Sequence, residues 1–465
     1  MRSSLLSFSL ALALLGVHSL AFENYVNEFI DPSYILSGNF DNATAFAQQS
    51  IVEWADALAA EGPWSVITSK PDGFNAPSND SHDYVSWAPY WWPDCSKAGN
   101  KTELTPQEIW VTCPYVNRDG QFNPDRLEIN NTGAFSALSD AVLYNTLAWK
   151  INGSSTYSSN IASWIKTWFL DPATAMNPNL NFAQVIRGPG AYYGAHTGVL
   201  DLKCMAKVAT GILTLRQGKS PDWTNELDAQ MKNWTQTYIK WMETSPIALG
   251  EGLSLNNHGS FYFNQLASLY LILDEPERAK NVTQSFFEGI YQNQIIASGD
   301  QPLEAERTHP YHYRGYNLAA IITNARLLHY AGGTDAYNIT AKSGAGIKQA
   351  LDFAIAQDAG EEPLGEIHPY VAFVAATYGD PDGRYAKFLL AQNADYPEEP
   401  YFFWNQPLGD SGFSQTHAAV PSPSQSANSA SASKTPTSLN SGAGINQQPT
   451  VLIVLATLLF PLLLS

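Results

Sequence analysis

The chain of 465 residues is 45% hydrophobic, 12% aromatic and only 15% charged, which excludes disorder over most of its length, collagen-like sequence and a charge-rich coiled coil. A formal charge of −18 excludes a general nucleic-acid binder, which needs a basic face. Three cysteines are too few for a disulfide scaffold.

Residues 1–21 read as a secretory leader: Arg2, an apolar run from Leu5 to Val17, then the small-x-small pattern Ser19-Leu20-Ala21. The domain proper is expected over 22–418. Residues 419–440 form a Ser/Ala/Pro/Thr-rich tract with too little apolar surface to pack, the composition of an extended stalk. Small residues at Asn440-Ser441-Gly442, a polar spacer to Thr450 and the apolar tail VLIVLATLLFPLLLS match a GPI signal over 441–465. The tail is short for a bilayer span and no basic residue follows it, so the expected contact with a membrane is a lipid anchor alone. Together these signals predict a secreted eukaryotic protein held at the cell surface or wall. Eight N-x-S/T sequons agree, at Asn42, Asn79, Asn100, Asn130, Asn152, Asn233, Asn281 and Asn338. In an oxidising compartment Cys95 and Cys113, 18 residues apart, are free to pair, while Cys204 lies in an apolar helical run and reads as a buried thiol.

Up to about residue 130 the body is rich in Pro, Trp and Asn, with one helical stretch at 43–61. Beyond it, apolar residues recur at three- and four-residue spacing near 133–151, 157–169, 197–217, 223–243, 259–274, 276–296, 316–330, 345–357, 368–378 and 383–393. Strand patterns are scarce. That series predicts an all-α array of antiparallel helix pairs stacked around an axis.

Three segments carry chemistry. HDYVSWAPYWWPD (82–94) holds five large aromatics and two prolines in thirteen residues, which suits either packing or an aromatic-lined glycan cleft. LNNHGSFYFNQ (255–265) places Asn256, Asn257 and His258 where a helix starts, as caps or as donors near a helix N-terminus that favours anions. SGDQPLEAERTHPYHYRGYNL (298–318) gathers Glu304, Glu306, Arg307, His309, Tyr311, His312, Tyr313 and Arg314 before a helix. No metal-ligand spacing accompanies the two histidines, and Arg307 is expected beside a Glu.

With DGQFNPDR (119–126) and NLNFAQVIRG (179–188), these pieces stand in family order. The chain resembles the alginate lyase family of polysaccharide lyases over roughly residues 45–400. The resemblance implies an (α/α) toroid or incomplete barrel with an open cleft, no required cofactor or metal, and an anionic uronate polysaccharide as partner. It implies Asn257, His258, Arg307 and Tyr313 as catalytic residues. His82, Tyr90, Trp91, Trp92, Gln184, His196, Tyr262 and Tyr311 are the expected substrate-binding residues, Tyr311 being also the alternative to Tyr313. Where many relatives read GRGTG this chain has GAHTG, which places His196 at the Arg position.

A lyase acting on a 4-O-linked uronan removes the C5 proton, α to a carboxylate, and expels the C4 oxygen. Asn257, His258 and Arg307 are suitable donors to the developing aci-carboxylate. Tyr313 is the expected proton-transfer residue, as base, acid or both according to the sugar's C5 configuration, with its phenol acidified by positive neighbours, and His258 is the alternative base. His82, His196, Arg187 and Arg307 are the expected sources of local positive charge. Cleavage of alginate, of glucuronan or of another uronan fits the same residues. A glycoside hydrolase using Glu304 and Glu306, or a surface glycan-binding protein, are the readings from other classes.

Overall fold

A computed structural model describes residues 25–405 except 72, 73, 75 and 99–103. The leader, the stalk, the GPI-type tail and the Asn100 sequon lie outside the described residues. Among those described, no helix is long and apolar enough to cross a membrane.

The helices are α1 (Pro32–Ser37), α2 (Ala45–Glu61), α3 (Pro106–Thr112), α4 (Asn131–Asn152), α5 (Ser155–Phe169), α6 (Met205–Gln217), α7 (Asn225–Thr244) and α8 (Pro246–Gly252). They continue with α9 (Asn257–Ile272), α10 (Pro276–Glu288), α11 (Pro302–Ala305), α12 (Pro310–Tyr330), α13 (Ile347–Ala354), α14 (His368–Tyr378), α15 (Arg384–Gln392) and α16 (Pro400–Asn405). Four short strands, β1 (Val85–Trp87), β2 (Trp91–Pro93), β3 (Tyr115–Asn117) and β4 (Phe182–Val185), complete the fold.

Sequence pattern sorts these helices into two layers. In α12, 17 of 21 residues are buried, whereas in α7 only six of 20 are, at the three- and four-residue spacing of an outer helix. The inner helices α4, α6, α9, α12 and α14 pack each on the next, and α16 bridges α14 to α2, which returns to α4. Helices α5, α7, α10, α13 and α15 lie outside them. The expected all-α toroid is what the chain forms.

Inner helices buried on all sides carry polar residues, and these turn back on their own backbone. Thr146 donates to the Val142 carbonyl at 2.6 Å, Ser268 to Asn264 at 2.7 Å and Thr214 to Thr210 at 2.7 Å. The extended segment Tyr25–Ile30 crosses this core. Ile30 N–H donates to Thr210 Oγ1, Asn27 bonds Asn264, Glu28 pairs with Arg326 at 2.7 Å, and the Lys207 ammonium reaches both the Tyr25 carbonyl and Asp140. Cys204 is buried beneath it, its thiol against the Val26 carbonyl.

Two strand pairs cap one end of the helices. β1 and β4 are parallel, and β2 and β3 antiparallel with Trp91 opposite Asn117 and Trp92 opposite Val116. Val85, Trp87, Ile129, Phe182 and Val185 give this cap its own small core. The Cys95–Cys113 disulfide closes the end of the β2–β3 hairpin.

Two expectations shift. The run read as one helix over 197–217 is a 3₁₀ segment, His196–Leu202, followed by α6. The helix expected from 316 begins at Pro310, where a proline needs no amide partner, and the Glu362 carboxylate accepts the freed N–H groups of Tyr311 and His312. Tyr313 therefore sits on the first turn of a rigid helix rather than in a loop.

Candidate active site

The N-terminal ends of the inner helices open into one cleft of about 410 Å³ beneath the strand cap. α4 contributes Asn130, Thr132 and Gly133, the segment entering α6 contributes Asp201 and Lys203, α9 contributes Asn257 and His258, and α12 contributes Tyr313. The first amides of α9 and α12 are taken by Asn256, Glu304 and Glu362, so it is the helix dipoles together with Arg126, Lys203 and Arg307 that favour an anion here.

Arg307 and Tyr313 are built as a unit. The guanidinium lies 3.9 Å from the phenol ring centroid and Nη2 donates to the Tyr313 oxygen at 2.8 Å. Across the cleft, the hydroxyl of Tyr90 lies 3.1 Å from the same oxygen. Asp119 holds Arg307 from the far side, with Oδ1 at 2.9 Å from Nη2. Gly120 allows this approach: its φ is +75°, and a Cβ there would lie 2.4 Å from Thr308 Oγ1. Burial drives the Tyr313 phenol well above its ordinary value, and Tyr90 adds to this more than Arg307 takes away. The expected acidified phenol is thus corrected: Tyr313 is neutral in the free protein.

Asn257 and His258 face the cleft from the first turn of α9, which Asn256 caps by accepting from His258 N–H. Glu304, 1% exposed, accepts from the Asn257 backbone N–H at 2.7 Å and from its amide Nδ2 at 2.5 Å. Glu304 was expected to partner Arg307; it holds Asn257 instead, and Glu306 points to solvent. His258 Nδ1 lies 2.6 Å from Glu251 Oε1, and His196 Nδ1 lies 2.6 Å from Oε2 of the same carboxylate.

Gln184 lines the cleft as expected, in a left-handed conformation with φ of 49°, fixed by Asp201 at 2.8 Å and Thr197 at 2.8 Å. Tyr90 and Trp91 line it too. Five expected contacts are not on the cleft wall, the first being His196, whose half-exposed ring is held on Glu251. His82 lies off the cleft wall with Nδ1 against the Ala175 carbonyl at 2.6 Å. Trp92 follows Trp91 on a strand and so faces the other way, donating to the Gln121 carbonyl and stacking under Arg118. Tyr262 is 7% exposed, bonded to the Met242 carbonyl, and its ring fills the place of a Cβ on Gly252. Tyr311, two residues from Tyr313 on a helix, is 2% exposed and turned into the core. Arg187 is not a cleft cation either, because Asp125 clamps it in two hydrogen bonds of 2.8 Å between Trp87 and Tyr115. Sequence reasoning missed Arg126 and Lys203, the cations on the cleft wall besides Arg307. It also missed Asp119, Glu251 and Asp201; of the five, Asp119 and Arg126 lay in a quoted segment, as the first and last residues of DGQFNPDR.

Among the described residues no cluster of three or more His, Cys, Asp or Glu side chains could hold a metal ion.

The alginate lyase family model matches residues 67–364. An alginate lyase from Bacteroides ovatus is 26% identical in sequence and superposes with a TM-score of 0.68, over 83% of this chain and all of that one. Alginate lyase A1-III from Sphingomonas species A1 is 13% identical, with a TM-score of 0.44, over 78% of this chain and 91% of that one. A search of curated proteins finds no match. The family model spans well over half the chain, on the toroid and around the cleft that the geometry singles out, and the chain therefore belongs to the alginate lyase family of polysaccharide lyases.

Proposed function

We propose that this enzyme cleaves a 4-O-linked uronate polymer, alginate-like in its charge and linkage, by β-elimination. The observation that carries the reading is that a neutral phenol, Tyr313, and an imidazole, His258, line one cleft together with the Arg307 guanidinium and the Asn257 amide. The substrate carboxylate is received by Arg307 and Asn257, whose donors oppose the charge that builds on it as C5 loses its proton. His258 Nδ1 is occupied by Glu251, and its Nε2 is the basic nitrogen that takes the C5 proton. The electron pair of that C–H bond forms the C4–C5 double bond. The C4–O4 bond breaks, and the leaving oxygen takes the proton of Tyr313. Imidazolium and tyrosinate then return to their starting states through solvent.

A phenol that burial keeps neutral is suited to the acid step, one of the two roles expected of Tyr313 from the motif. Purified protein incubated with polymannuronate, polyguluronate and glucuronan tests the reading. Ultraviolet absorbance from unsaturated uronide ends with at least one polymer is the expected result. New reducing ends without that absorbance indicate hydrolysis instead, and binding without either indicates a non-catalytic glycan binder.

The leader and tail patterns support export to the cell surface on a GPI anchor. Release of the protein from cells by a phosphatidylinositol-specific phospholipase is the expected outcome, and retention supports a tail that stays in the membrane.

A further inference from the structure

Glu251 belongs to neither of the motifs that mark the site, yet both of its oxygens are committed there. It sits on the short helix α8, 0% exposed, between two glycines. The Tyr262 ring presses on Gly252 at 2.9 Å from where a Cβ would stand, and the Gly250 position lies 3.3 Å from His196 Cβ. The backbone on both sides of Glu251 is therefore closely packed. Each oxygen meets one ring nitrogen at 2.6 Å: Oε1 the Nδ1 of His258, Oε2 the Nδ1 of His196. The two rings differ in surroundings, for the His196 side chain is 52% exposed and that of His258 18%.

A carboxylate is an acceptor only, so each of these nitrogens carries a proton. His258 is then held as the Nδ1–H tautomer, with Nε2 unprotonated and available.

We propose that Glu251 is the positioning residue that fixes the tautomer and orientation of His258, and that His196, by sharing the same carboxylate, sets how strongly His258 holds a proton. This rests on the reading of His258 as base and deepens it. When His258 takes a proton its positive charge is stabilised by Glu251, as in other carboxylate–histidine pairs. Every hydrogen bond that His196 makes to the second oxygen withdraws part of that negative charge. The other charged groups near His258 are Glu304 on α11, which feels its charge, and Asp201, Lys203 and Arg307 around the same cleft. None of these bonds either ring. Burial alone would push Glu251 up, and the two histidines more than offset it, so that its carboxyl lies below the ordinary value and is ionised at neutral pH.

Two variants move His258 in opposite directions. Glu251→Gln keeps the size of the side chain and removes the charge; the His258 pKa, read by NMR of ¹⁵N-labelled histidine, falls by about one unit or more. Turnover falls by roughly 10²-fold or more with KM changed little, since the loss is in the reacting state. His196→Ala leaves the carboxylate to His258, whose pKa rises, and the acidic limb of the kcat profile moves to higher pH. A purely structural role for Glu251 moves neither value in this paired fashion. An unchanged His258 pKa in Glu251→Gln, or shifts of the same sign in both variants, overturns the proposal. The NMR measurement does not depend on turnover: if His258→Gln stays active while the pKa shifts appear as stated, the base assignment fails and the positioning role stands.

Discussion

Arg307 and Asp119 are 188 residues apart in the chain and pair at 2.9 Å, with Asp119 on the loop after β3 and Arg307 between α11 and α12. The carboxylate holds the guanidinium over the Tyr313 ring, so the orientation of the principal cation of the site is set by the loop after β3 as well as by the short connection that carries it. Asp119→Asn keeps the shape and removes the charge. Turnover is expected to fall roughly ten- to hundred-fold through misplacement of Arg307. KM is expected to fall as well, because the cleft loses a negative charge and attracts the polyanion more strongly. Steady-state kinetics at low and high salt measure both; an unchanged kcat removes the positioning role of Asp119.

Asp119 also sets a pH boundary. Burial raises its carboxyl, but hydrogen bonding and the charge of Arg307 outweigh that, so its folded value lies below 3.8. A group depressed in this way contributes above its unfolded value and loses the contribution only as pH falls through the folded one. The Arg307–Asp119 pair is therefore expected to remain intact across the neutral and mildly acidic range. Asp119→Asn is therefore expected to leave the shape of the pH profile between neutral and mildly acidic pH unchanged, and a pH limb abolished by that substitution contradicts this.

Tyr313→Phe separates chemistry from packing. The ring keeps its contact with Arg307 and only the hydroxyl is lost, so unfolding and polymer affinity are expected to change little. Turnover is expected to drop by about 10²- to 10⁴-fold. Arg307→Ala, by contrast, is expected to weaken binding as well as turnover, since its charge meets the substrate carboxylate in the ground state. Near-normal turnover in Tyr313→Phe removes it from the proton path.

Local patterns were sufficient for the longer helices, though not for α8 and α11, and they singled out the motif residues. The apolar periodicity of α4 to α15 and the Asn256 cap are properties of a few consecutive residues, and Asn257, His258, Arg307 and Tyr313 are carried by two short motifs. What could not be read are pairings made by closure of the ring. Glu304 lies three residues before Arg307 yet bonds Asn257, because α11 lies against the start of α9. Arg187 is spent on Asp125, and Glu251 is shared by residues 55 positions before and seven after it. The aromatic cluster was overread for a simpler reason: neighbouring strand residues face opposite ways, so Trp91 lines the cleft and Trp92 does not.

The sequons separate by position. Asn42, Asn79, Asn152, Asn233, Asn281 and Asn338 are exposed, whereas Asn130 is partly buried and lines the cleft, and its Thr132 is bonded to Asp201. In protein produced through a eukaryotic secretory pathway, the exposed group is expected to carry glycans and Asn130 to stay bare in the active fraction. Glycopeptide mass spectrometry tests this. A fully occupied Asn130 in protein with normal turnover contradicts the placement of substrate in this cleft.

The last prediction concerns the buried ion pair beneath the cleft. Lys207 and Asp140 are 0% and 1% exposed, 2.7 Å apart, and the ammonium also holds the carbonyl of Tyr25. Burial opposes both charges. The ammonium keeps its proton because Asp140 lies against it, and its pKa is raised on balance. Lys207→Met fits the volume of the aliphatic stem but leaves Asp140 buried without its partner, and is expected to cost about 3–5 kcal/mol. In the double variant Lys207→Met/Asp140→Leu both charges are gone, and what remains is chiefly the lost hydrogen bond from the ammonium to the Tyr25 carbonyl, at about 1–3 kcal/mol. The double variant should therefore be more stable than the single one, by a difference readable as a higher denaturant midpoint at constant m-value. A double variant as unstable as Lys207→Met shows that the cost comes from lost packing of the Tyr25–Ile30 segment rather than from the stranded carboxylate.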